Sequence, residues 1–316
     1  MEKSPVLAIV VPCYKEEAVL HETHKRLSLL LDKLIAERHI SQDSYILYVN
    51  DGSTDQTWPI IKDLHQNTPY ACGLNLAGNV GHQNALMAGL MTAKGYADVL
   101  VSIDADLQDD VSVIEEMVDR YKEGYDIVYG VRSSRDSDTF FKKNTALAFY
   151  KLMSWLGVKS VYNHADYRLM SRRAVEQLGN YKERNLFLRG IVPLIGYETT
   201  SVYYRRSERF AGESKYPLSK MFNFAIDGIT SFSVRPLRLI ATLGFLFLLC
   251  SLVAVVYTLY VYFNGETVAG WASLMLSVWF LGSLILIAIG IVGEYIGKIY
   301  LEVKERPRYN IEKFLN

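Results

Sequence analysis

Short apolar runs alternate along the first two hundred positions with stretches whose apolar residues recur every third or fourth place. Residues 6–12 (VLAIVVP), 45–51 (YILYVND), 70–76 (YACGLNL), 98–106 (DVLVSIDAD) and 126–132 (DIVYGVR) have the near-continuous hydrophobicity of strands covered on both faces. Residues 16–38, 57–66, 82–94 and 111–124 have the helical period. Strand and helix in alternation predict an α/β fold around a mostly parallel sheet. In such sheets ligands bind beyond the carboxyl ends of the strands.

Beyond residue 215 the pattern changes. Leu218, Met221, Phe222, Ala225, Ile229 and Phe232 form one stripe, with Ser219, Lys220, Asn223, Asp227 and Thr230 opposite. This predicts an amphipathic helix over residues 216–235, suited to a membrane interface. Residues 237–263 carry Arg238 at their start and no other charge, and Trp271 to Val292 carry none. At 1.5 Å per residue each is long enough to cross about 30 Å of hydrocarbon. Only NGETVAG separates them, so they predict a transmembrane hairpin. Arg235 and Arg238 precede it and Lys298, Lys304, Arg306 and Arg308 follow it, which places both chain ends in the cytosol. The expectation is a multi-pass protein of the cytoplasmic membrane with a large cytosolic head.

Composition adds two exclusions. The 316 residues carry no net charge, which argues against general nucleic-acid binding. Cys13, Cys72 and Cys250 are odd in number and widely spaced, so they predict neither a disulfide framework nor a thiolate metal site. The short apolar run at residues 6–12 ends in proline and reads as a buried strand rather than a signal peptide.

Three strands end in polar groups on the same predicted edge: Pro12-Cys13-Tyr14-Lys15-Glu16, Asn50-Asp51-Gly52-Ser53 and Asp104-Ala105-Asp106. The third is the most demanding, because VLVSI runs directly into Asp104, Asp106, Asp109 and Asp110 with Gln108 among them. Carboxylates beside a dry core need a metal, a basic partner or solvent. An EF-hand is excluded because Asp109 stands where that loop turns on glycine. The remaining metal reading is Mg²⁺ or Mn²⁺ held by Asp106 and Gln108 with Asp104 nearby, the other ligands coming from phosphate and water.

VVPCYKEE, VNDGSTDQT, GHQNALMAGL, SIDADLQDD and HADYRLMSRRA, in this order, resemble the family 2 glycosyltransferases of the GT-A fold. With RRSERFAGESKY, the two apolar segments and VGEYIGKIYLEVKERPRY, the likeness narrows to polyprenyl-phosphate glycosyltransferases, the group of dolichol-phosphate mannose synthase and bacterial undecaprenyl-phosphate glucosyltransferases. The resemblance implies a Rossmann-like GT-A catalytic domain over residues 1–215, then the amphipathic helix, the two spans (237–263 and 271–297) and a cytosolic tail at 301–316. It implies that Pro12, Tyr14 and Glu16 cradle a nucleotide, that Asp51 meets its base or ribose, and that Asp104 meets the ribose or the metal. It places Asp106 and Gln108 on the metal, Asp166 at the candidate base, and Arg132, Arg209 and Lys215 on phosphate.

The implied reaction is inverting transfer of a sugar from a nucleotide sugar, UDP-glucose or UDP-N-acetylglucosamine, to undecaprenyl phosphate. A phosphate monoester with a second pKa near about 6 is largely dianionic at neutral pH, so Asp166 serves equally as an orienting group. Local alternatives stand beside these roles: Asp51 as a turn-forming residue, Asp166 paired with Arg168 or Arg172, and His82 and Gln83 either packed or touching the donor. A polysaccharide synthase and a non-catalytic membrane scaffold are the rival readings, and a homo-oligomer stays open.

Overall fold

A computed structural model describes residues 4–133, 164–184, 186–205, 235–264 and 270–316. The expected amphipathic helix and the phosphate contacts of Arg209 and Lys215 lie outside these residues.

The described residues form two compact units, one carrying the sheet and the other the long apolar helices. In the first, strands and helices alternate as β1 (Leu7–Cys13), α1 (Leu20–Ala36), β2 (Tyr45–Asn50), α2 (Thr57–Asn67), β3 (Ala71–Leu76), α3 (His82–Ala93), β4 (Val99–Ser102), α4 (Val113–Lys122) and β5 (Ile127–Arg132). There follow β6 (His164–Ser171), α5 (Arg172–Gly179), the single turn α6 (Leu188–Ile191) and β7 (Thr199–Tyr204), with β8 (Ile311–Leu315) at the far end of the chain. The sheet order is β7-β5-β6-β4-β1-β2-β3-β8. β4, β1, β2 and β3 are mutually parallel, β6 and β8 run against them, and β5 and β7 run parallel to each other and against β6.

Every residue of β1 is buried, as its unbroken apolar run requires of a central strand covered on both faces. Leu20, Leu27, Leu31 and Leu34 of α1 bury one helical stripe against the same core. α3 lies closer still. A Cβ on its Gly89 would stand 2.4 Å from Val10 and 2.7 Å from Val49, so only glycine lets the helix backbone settle on β1 and β2.

The second unit carries α7 (Arg235–Phe263, 29 residues) and α8 (Trp271–Val303, 33 residues). Among the described residues, Phe280–Val303 is long and apolar enough to cross a membrane. Its Ile285, Leu286, Ile287 and Ile289 are exposed. Within the tail, residues 311–315 pair antiparallel with β3 and close that side of the sheet. Arg184 donates to the carbonyls of Arg306 and Pro307, and Arg308 to that of Tyr181, so the approach to β8 is itself held.

Candidate active site

Strand direction brings the chemistry together. β1, β2, β4 and β5 all end on one edge, at Cys13, Asn50, Ser102 and Arg132. β6 runs the other way, so its first residues, with Asp166, arrive at that edge instead of leaving it. Ser102 Oγ donates to the carbonyl of Asp166 at 2.6 Å and ties the two chain segments there.

After β4 the acidic run alternates in depth. Ala105, Leu107 and Asp109 are buried, while Asp104, Asp106 and Gln108 are half-buried on the outer side. Leu107 adopts a left-handed backbone (φ 58°), and the Gln108 amide donates to Asp106 Oδ1 at 3.2 Å, which folds the segment into a tight turn. The four aspartates then divide. Asp109 accepts from Tyr204 Oη at 2.5 Å and pairs with Arg132 at 3.4 Å. Asp110 accepts from the Ser112 amide and hydroxyl at the start of α4. Asp104 has His82 Nε2 at 3.5 Å, and its side chain is 38% exposed. Partial burial raises the Asp104 carboxyl above the ordinary range; His82 opposes this, while Asp109, Asp166 and Asp106 add to it.

Asp166 is held differently. Its Oδ1 accepts from Arg168 Nη2 at 2.6 Å and its Oδ2 from Arg189 Nη2 at 3.2 Å. His82 Nε2 stands 3.9 Å away. Arg168 is 1% exposed, and its Nε has no hydrogen-bond partner among the described residues. Burial works to raise the Asp166 carboxyl, but Arg189, Arg168 and His82 overcome it and hold the group well below the usual carboxylate range. A carboxylate so stabilised is a weak proton acceptor. Of the two pairings open in the sequence, Arg168 takes Asp166, while Arg172 pairs with Asp98 at 2.9 Å.

The remaining expected residues occupy the loops after β1 and β2. Pro12 is buried within β1, Tyr14 is exposed, and the Glu16 amide donates to Thr57 Oγ1 at 3.0 Å. Asp51 is buried with its carboxylate turned to the segment after β3, accepting from Val80 N–H (2.7 Å), Gly81 N–H (3.0 Å) and Asn79 Nδ2 (3.1 Å). Gly52 allows this contact: it has φ +60°, and a Cβ there would stand 2.5 Å from the Asn79 nitrogen. Burial raises the Asp51 carboxyl, opposed by those two backbone amides.

The structure thus gathers Asp104, Asp106, Gln108, Asp166 and Arg132 on one edge, beside the loops of Tyr14, Glu16 and Asp51. His82 now has a place between Asp104 and Asp166, and Gln83 packs, accepting from the Leu188 amide at 2.9 Å. Arg189 and Tyr204 were missed by the sequence reading. Neither sits in a motif, and the only signal was a lone arginine in the apolar stretch LFLRGIV.

The donor set suits a hard divalent cation, being oxygen-only, with Asp104, Asp106 and Gln108 half-buried on one side of the turn. Among the described residues no three His, Cys, Asp or Glu side chains group closely enough to ligate a metal by themselves. A cation here would draw its remaining ligands from substrate phosphates and water.

Residues 8–179 match the family model Glycosyl transferase family 2, and residues 235–299 match the GtrB C-terminal hairpin. A Bacillus subtilis (strain 168) relative, uncharacterized glycosyltransferase YkoT, is 55% identical over 98% of this chain and 92% of its own length. The prophage bactoprenol glucosyl transferase homolog of Escherichia coli (strain K12) is 38% identical over 97% of this chain and 98% of its own. The bactoprenol glucosyl transferase of Shigella phage SfII is 39% identical over 97% of each.

Proposed function

The chain belongs to glycosyl transferase family 2, and from that premise we propose that it transfers glucose from UDP-glucose to undecaprenyl phosphate at the cytosolic face of the membrane. The observation that carries this reading is the likeness to bactoprenol glucosyl transferases along nearly the whole chain, apolar helices included.

The reaction is a single displacement. A phosphate oxygen of the lipid attacks the anomeric carbon, the bond from that carbon to the diphosphate breaks, and UDP leaves with its electron pair. Configuration inverts. The acceptor is already anionic, so no proton has to be taken from it. The barrier lies in bringing two anions together. A divalent cation held by Asp106 and Gln108, with Asp104 adjoining, would neutralise the departing diphosphate. Arg132, with Arg209 and Lys215, takes the acceptor phosphate in this reading, and Arg189 joins them. Asp166 fixes Arg189 in place rather than removing a proton. Tyr14 and Glu16 border the nucleotide. α7 and α8 both cross the bilayer and keep the catalytic unit beside a lipid substrate.

The test uses the full chain in detergent with undecaprenyl phosphate, Mg²⁺ or Mn²⁺, and a panel of radiolabelled nucleotide sugars. Label from UDP-glucose should enter the lipid phase. Selective labelling by another sugar would move the donor assignment. Labelling of no lipid by any sugar would remove the acceptor assignment.

A further inference from the structure

Beyond the acidic edge, one polar path runs through the sheet from the last strand to the first loop. Glu312 on β8 accepts from Asn75 Nδ2 at 2.5 Å. Asn75 Oδ1 accepts from Asn50 Nδ2 at 2.6 Å, and Asn50 Oδ1 from the Ser53 amide at 3.3 Å. Ser53 Oγ then accepts from the Lys15 amide at 3.1 Å. Asn50 and Asn75 are buried. Lys15 is a non-glycine residue in the left-handed region (φ 56°), a conformation that persists only where its surroundings hold it. Its neighbours are Tyr14 and Glu16.

The path has a direction, and Glu312 holds one end of it. A carboxylate only accepts, so Asn75 must turn its NH₂ toward Glu312 and its oxygen toward Asn50. Asn50 must then give its NH₂ to Asn75 and keep its oxygen for the Ser53 amide. The Ser53 amide, which only donates, asks for the same orientation from the other end, so the two ends agree. We propose that Glu312 is a positioning residue for the donor nucleotide: through Asn75, Asn50 and Ser53 it orders the Tyr14–Glu16 loop, so the strand that follows the apolar helices completes the nucleotide site. This rests on the reading of that loop as nucleotide-binding.

Three substitutions test it in the full chain, with UDP plus Mn²⁺ as the calorimetric probe and UDP-glucose in turnover. Glu312→Lys puts a donor at both ends of the path, so one N–H between Glu312 and Ser53 loses its acceptor whichever way the two amides turn. It should raise the Kd for UDP and the KM for UDP-glucose about tenfold with kcat within about twofold, as expected for one buried donor left unsatisfied. Glu312→Gln retains an acceptor and should stay within about twofold of wild type in both. Ser53→Ala cuts the path at its other end and should raise Kd similarly, with the Glu312→Lys/Ser53→Ala double variant no weaker than Ser53→Ala alone. Should the lysine variant not accumulate, Glu312→Ala takes its place.

A Glu312→Lys Kd equal to wild type overturns the proposal, as does a double variant whose losses multiply. A fall in kcat and melting temperature with unchanged KM would mark Glu312 as a purely structural residue and overturn it equally. Wild-type protein that binds no UDP would instead overturn the donor assignment.

Discussion

Asp104 and Asp166 face the same histidine across one sheet edge, at 3.5 and 3.9 Å, yet their charges are handled in opposite ways. Asp104 follows a strand whose neighbours are also acidic, and its carboxyl is raised. Asp166 begins a strand running the other way, meets two arginines, and is lowered. The first arrangement leaves negative charge for something else to complete. The second is complete within the chain. In the proposed reaction the donor-side cation takes the first, and Arg189, held by Asp166, faces the acceptor at the second.

The largest effect that would break this contrast is at the acidic side. Asp106→Ala should lower transfer to lipid on the order of 100- to 1,000-fold, measured as labelled glucose entering the lipid phase with saturating metal. Activity within tenfold of wild type would remove the cation from that turn.

At the opposite side the expected loss is in stability. Arg168→Met leaves the buried Asp166 carboxylate with Arg189 alone and should cost about 1.5–3 kcal/mol by thermal unfolding. Adding Asp166→Asn to that variant should recover part of the loss, because the buried charge left with one partner is gone. Equal unfolding of the single and double variants would contradict the ion pair.

A smaller effect separates clamp from base. Asp166→Asn alone should lower kcat about tenfold, whereas loss of an obligate general base typically costs 10²- to 10⁴-fold. Retained transfer at neutral pH with a raised KM for undecaprenyl phosphate would sharpen the assignment to acceptor positioning.

The smallest prediction concerns pH. A carboxyl held below its unfolded value adds stability above about pH 4 and loses it as pH falls through the folded pKa. The melting temperatures of wild type and Asp166→Asn should therefore differ by a constant amount above about pH 4 and converge below it. A gap that opens on acidification would reverse the sign and the assignment.

Much of the edge was legible in sequence. VLAIVVP, VLVSI and the aspartates after them are consecutive residues, and burial on both faces demands unbroken hydrophobicity whatever the neighbours are. The apolar helices were legible for the same reason. The partners of Asp166 were only half legible: Arg168 is two residues away on the same strand, but Arg189 lies beyond a helix. The pairing of the tail with β3 was not legible, because five residues, IEKFL, carry too little pattern to announce a strand.

What the sequence determined by itself is what depends on near neighbours in the chain: the alternation of strand and helix, the acidic run after β4, the two apolar runs within residues 237–292, and the family. Tertiary structure alone decided that β6 runs antiparallel and so carries Asp166 to the acidic edge. It alone decided that Asp51 turns to the segment after β3, and that β8 returns to pair with β3 and set Glu312 against Asn75. Hydrophobic period is a local property of the chain, whereas strand neighbours and hydrogen-bond partners are chosen by the packing of the whole sheet, where residues 237 positions apart come within 2.5 Å.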